Sequence, residues 1–64
     1  LAFHRLGTLP AAGAARPGEA AAAPLLPEGA TLKQALMLML EHGTDQLAMP
    51  GGGALHLSDI LAAA

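Results

Sequence analysis

The 64-residue sequence has no cysteine, no tryptophan and no tyrosine. The missing thiols exclude a disulfide framework, a cysteine nucleophile and a cysteine-ligated zinc site, and they fit a reducing compartment such as the cytoplasm. The only aromatic residue is Phe3, although 53% of the positions are hydrophobic. Alanine supplies 16 of them and leucine 13. Methyl and isobutyl groups bury less area than rings, so any core is thin. A chain of this length buries only about 60% of its unfolded surface, which makes a lone monomer marginal.

Charge is scarce as well, with three basic and five acidic residues and a net charge of -2. Nothing here forms the basic face that a phosphate backbone requires, so nucleic acid is not an expected partner. The longest unbroken apolar run, Ala35 to Leu40, falls far short of the roughly 18 residues that a membrane span needs. Leu1 to Leu9 lacks a basic start and is interrupted by His4, Arg5 and Gly7, which speaks against a signal peptide. The first residue is not methionine, so a longer parent chain is expected.

Composition divides the chain into three. Residues 1–9 read as the end of a preceding element, with Leu1, Arg5 and Leu9, or Ala2, Phe3 and Leu6, available to one helical face. Residues 10–24 carry Pro10, Pro17 and Pro24 among alanines and glycines. Proline costs a helix about 3 kcal/mol and restricts the residue before it, so this stretch reads as a linker with rapidly exchanging amides from Ala11 to Ala23. Residues 25–64 read as the folded unit.

Within that unit, Thr31 followed by Gln34 is a capping-box pattern at a helix start. Leu32, Ala35, Leu36, Met39 and Leu40 then mark one apolar stripe, with Met37 and Leu38 off it. A helix apolar on more than one side implies a second packing partner. Gly43 stands where a left-handed C-terminal residue belongs. Leu47 and Met49 alternate up to Pro50, and Leu55 and Leu57 alternate around His56, so a short hairpin across Gly51, Gly52 and Gly53 is expected. Ser58 is the expected cap of a last helix and Asp59 its first-turn acid. A short strand is expected at Leu25 and Leu26. The fold class is thus α/β: short strand, helix, short β-hairpin, helix, preceded by an Ala/Pro-rich linker.

Chemistry-bearing clusters are few. His4, His42 and His56 lie far apart and form no His-x-x-x-His pair, so no metal is expected. His56, Ser58 and Asp59 include the atoms of a catalytic triad with nothing to orient them, and no catalytic residue is assigned. The three glycines lack the following basic residue and helix of a phosphate loop and read as a turn. Met37, Met39 and Met49 suit a core or a subunit interface.

The run Thr31-Leu32-Lys33-Gln34-Ala35-Leu36-Met37-Leu38-Met39-Leu40-Glu41-His42-Gly43, with Asp45-Gln46-Leu47 and Leu57-Ser58-Asp59-Ile60-Leu61, resembles a CBS domain over Pro24 to Ala62. The resemblance implies a single, shortened half-module that pairs with another copy, hence a homodimer. It also implies a nucleotide-contacting pair. Asp59 stands on the family's ribose-binding acid, while His56 takes the place of its threonine, so half of that motif is present. The hairpin is several residues shorter than the family's. The leader together with "PGEA…PLLP" looks like the C-terminal extension of ABC-importer ATPases for glycine betaine and related quaternary amines.

That narrower likeness implies a non-catalytic regulatory or dimerisation module without a cofactor. It would sit in the cytoplasm, joined to the ATPase domain of its parent and through it to a membrane permease, with no direct insertion into the bilayer. No Walker A sequence occurs in the chain itself. The alternatives are an adenine-nucleotide-sensing regulatory domain of another cytoplasmic protein and a purely structural dimerisation tail. Asp59 has two readings, a ribose contact or a plain first-turn acid.

Overall fold

The computed structural model describes residues 3–18 and 22–63. Two 3₁₀ turns, Phe3–Gly7 and Ala11–Gly13, lead into helix α1 (Leu32–His42), strands β1 (Gln46–Ala48) and β2 (Ala54–His56), and helix α2 (Leu57–Ala63). Mixed α/β architecture is therefore observed. Among the described residues no helix is long and apolar enough to cross a membrane.

Helix α1 begins and ends where its sequence dictates. Gln34 N–H donates to Thr31 Oγ1 at 3.3 Å, and Gln34 Oε1 accepts from Thr31 N–H at 2.8 Å, a complete capping box. The N–H of Leu32, which no helical carbonyl can reach, donates instead to Leu9 O at 3.0 Å. At the other end Gly43 adopts φ 64°, and its N–H returns to Met39 O.

The buried face of α1 is narrower than the apolar pattern implies. Leu32, Ala35 and Met39 are buried, Leu36 and Leu38 are half-buried, and Met37 is exposed at 60%. Leu40, expected on the core stripe, is 74% exposed. With 3.6 residues per turn, it is rotated about 100° from Met39. The first 3₁₀ turn, α2 and the short strand β1 pack against α1, and elements this short cover only one side of the helix.

Strands β1 and β2 pair antiparallel, with Gln46 opposite His56, Leu47 opposite Leu55 and Ala48 opposite Ala54. Opposed residues share a face, so Leu47 and Leu55 enter the core together, joined by Met39 and Ile60. The hairpin closes across three successive glycines with φ 82°, 110° and 94°. All three positions lie in the left-handed half of backbone space, which glycine enters without a Cβ penalty. Leu57, expected to continue the second strand, opens α2 instead, so Ser58 lies inside the first turn and is not its cap.

The strand expected at Leu25 and Leu26 is present as a single parallel bridge, Leu25 to Ala48. Leu26 N–H donates to Ala48 O, and Ala48 N–H donates to Pro24 O, each at 2.8 Å. At the start of β1, Thr44 Oγ1 accepts from Gln46 N–H and donates to Gln46 O, both at 3.3 Å.

Residues 10–18 differ from the free tether expected of a linker. Ala11 is buried and its N–H donates to Ala30 O at 3.0 Å, Pro10 bridges Thr31, and Arg16 bridges Ala54. Leu6, in the first 3₁₀ turn, shares the core with Leu26, Leu32 and Leu55. Alanine makes this close approach possible, since Ala11 lies in the core and the small side chains of Ala14 and Ala15 pack against it. The expectations for Leu1, Ala2 and the side chain of Phe3 lie outside the described residues, as does the part of the expected exchange behaviour that falls on residues 19–21.

Candidate functional site

Asp59 is the third residue of α2, and its side chain is only 16% exposed. Arg16 reaches it from beside β2, where it pairs with Ala54. Arg16 Nε donates to Oδ1 at 3.0 Å and to Oδ2 at 2.8 Å, and Nη2 donates to Oδ1 at 2.7 Å. This fork-on-carboxylate geometry suits arginine, whose planar donors match both oxygens at once.

The main chain of Arg16 is fixed independently of its side chain. Its N–H donates to Ala54 O at 2.7 Å, and its carbonyl accepts from Ala54 N–H at 2.8 Å. Gly53 makes this approach possible. A Cβ there would stand 3.0 Å from Arg16 O, tighter than nine in ten such contacts, so the Arg16 backbone would have to give way. Backbone pairing at Ala54 and the side-chain pair at Asp59 therefore clasp one residue of the leader at two points, one on β2 and one on α2.

The Arg16 hydrogen bonds hold the Asp59 carboxyl below its ordinary range, opposed by partial burial and helped by the positive charge of Arg16. The backbone N–H of His56 and the charge of its ring lower it further. Arg16 is correspondingly raised by the same hydrogen bonds and by the carboxylate's charge. A carboxyl whose folded pKa is depressed stabilises the fold above its unfolded value of about 3.9, and that contribution disappears as pH falls through the folded value. Thermal midpoints measured from pH 6 to pH 2 should hold level and then drop on the acid side, and Arg16→Ala should make that drop shallower. An identical acid limb in the variant would show that the pair does not couple folding to protonation.

The two residues singled out by sequence are thus brought together. His56 is the last residue of β2, half-buried, and close enough to Asp59 to affect its titration. The resemblance gives Asp59 to a ribose, but in the folded chain its two oxygens already accept three donor contacts from Arg16. A carboxylate has about four acceptor positions, so an incoming hydroxyl has to compete with a charged donor.

Among the described residues, no side-chain hydrogen bond links Ser58 to His56 or Asp59, and no group of three potential metal ligands exists. His42 stands exposed at the end of α1, and the side chain of His4 lies outside the described residues.

Arg16 is the site residue that sequence reasoning passed over. Periodicity and motif spacing say nothing about a contact between residues 43 apart. One signal was present, in that Arg16 is the sole charged residue between Arg5 and Glu19. A lone arginine in an otherwise apolar and proline-punctuated stretch asks for a carboxylate partner.

No family model matches the chain, and no curated protein or solved structure matches it significantly.

Proposed function

We propose that the chain is a non-catalytic regulatory or dimerisation module, belonging to an ABC importer ATPase for glycine betaine or a related quaternary amine. The observation that carries the non-sensing part of this reading is the Arg16 clasp on Asp59, an internal cation where a nucleotide sensor needs an open acid. The order of elements supports a CBS-like half-module. A parallel bridge at Leu25 and Ala48 spans α1, and a hairpin and a second helix follow. In this reading the module works at the cytoplasmic side of the membrane, joined to an ATPase domain and through it to a permease, and it needs no cofactor. The exposed Met37 and Leu40 on α1 supply an apolar surface for self-association.

Calorimetric titration with AMP, ATP and a cyclic dinucleotide at pH 7.5 tests the reading. No binding is expected at sub-millimolar ligand, and Arg16→Ala combined with His56→Thr should be the change that brings affinity up. Micromolar binding by the unmodified chain, lost in Asp59→Ala, would overturn the proposal in favour of an adenine-nucleotide sensor from another cytoplasmic protein. The importer assignment makes a separate demand on the parent chain, which must encode a Walker A motif and an ABC signature ahead of Leu1. Their absence would remove the importer and leave a structural dimerisation tail.

A further inference from the structure

The outward side of α1 carries a pattern that the core does not explain. Lys33, Met37 and Glu41 follow one another at four-residue steps, so they lie along one side of the helix, and Leu40 adjoins them one turn on from Met37. All four are exposed. Among the described residues neither Lys33 nor Glu41 has a salt-bridge partner. The Lys33 side chain runs beside Gly7, with its Cδ 3.8 Å from where a Cβ on that glycine would be, so its stem is steadied at the edge of this face. The charges stand at equal spacing before and after Met37, about 12 Å apart at 1.5 Å per residue.

We infer that two copies of this chain pair through α1, antiparallel, about a two-fold axis near Met37. A two-fold axis through the middle of this face sets Lys33 of each copy against Glu41 of the other and packs the Met37 and Leu40 side chains between the two ion pairs. The same patch meets itself, as an isologous interface requires. A parallel arrangement would instead oppose Lys33 to Lys33 and Glu41 to Glu41. The charges therefore select orientation, while the apolar centre supplies the driving force. Methionine suits such a centre, since its unbranched side chain adapts to its own symmetry mate. This inference rests on the self-associating reading above and specifies its partner and its geometry.

Sedimentation equilibrium on the whole chain separates the two claims. The unmodified chain should dimerise. Lys33→Glu and Glu41→Lys should each weaken the dimer by about tenfold, because each replaces two attractive contacts by two repulsive ones. The double variant Lys33→Glu/Glu41→Lys, which keeps the net charge at -2, should recover the original affinity. Met37→Asp should leave only monomer. Circular dichroism checks that these exposed changes leave the fold intact.

Single variants that dimerise as the unmodified chain does would overturn the antiparallel geometry while leaving self-association standing. So would a Glu41→Lys variant that dimerises more tightly, since that result follows from net charge alone. A folded unmodified chain that stays monomeric at millimolar concentration would overturn the self-association reading itself.

Discussion

Leu55→Ala is expected to leave the chain unfolded at 25 °C in dilute buffer. Leu55 is fully buried at the centre of β2, opposite the equally buried Leu47 and in one cluster with Met39 and Ile60. Removing the outer carbons of a buried leucine costs about 2–5 kcal/mol, toward the high end where neighbours cannot collapse into the space. Short strands held at both sides have little room to collapse. Stability of about 0.05–0.15 kcal/mol per residue gives a chain of this size roughly 3–10 kcal/mol in all, and a core of alanine and leucine belongs in the lower part of that range. The loss is therefore comparable with the whole. Far-ultraviolet circular dichroism with thermal melting checks it, and Leu25→Ala, at a side chain that is 65% exposed and away from α1, should shift stability by no more than about 0.5 kcal/mol. A cooperative transition in Leu55→Ala within a few degrees of the unmodified chain would show that the core is not centred on the hairpin.

The second large effect is expected at Gly53. Alanine at φ 94° is strained by about 1–3 kcal/mol wherever it occurs, and here its Cβ also meets the Arg16 carbonyl at 3.0 Å. Gly52 provides the comparison, because it has φ 110° and open space around its missing Cβ. Gly52→Ala should show the conformational cost alone. Gly53→Ala should be more destabilising, and hydrogen exchange at the Arg16 amide should accelerate as its bond to Ala54 O is lost. If the two variants unfold at the same denaturant concentration and the Arg16 amide keeps its protection, the close approach contributes nothing.

These two expectations differ in how far the sequence foretells them. The limits of α1 could be read directly, since Thr31, Gln34 and Gly43 act on backbone groups within four residues of themselves. The hairpin at the glycines and the inward Leu47 and Leu55 were legible for the same reason, because alternation is a local property. Leu40 was misplaced because periodicity reports which residues are apolar, and only the size of the opposing surface decides how many of them are covered. Ser58 was misread because the second strand ends a residue earlier than its alternation suggests, so the helix starts before the hydroxyl.

The leader was the least legible segment. Its prolines exclude a long helix, yet what holds it is scattered: backbone bonds at Leu9, Ala11 and Arg16, the buried Leu6 and the Arg16 side chain on Asp59, each reaching a distant residue and none tied to a pattern. Asp59 was legible as an important acid, and its partner was not. The third glycine of the turn carries the matching information, but its meaning depends on Arg16 lying beside it.

The single-residue bridges along the hairpin have a consequence for solubility. A two-stranded sheet presents two open edges, each a template onto which another chain can add a strand and start an aggregate. Proteins often guard such edges with lysine, but this chain has one lysine, and it lies on α1. Backbone and hydroxyl groups serve here instead. Ala48 is closed by Pro24 and Leu26, Gln46 by the Thr44 hydroxyl, and Ala54 by Arg16. Each strand is three residues long, so one or two plugs per edge leave no row of free donors and acceptors for an extended peptide to read. A sequence this apolar and this poor in charge thereby keeps its sheet from growing by addition.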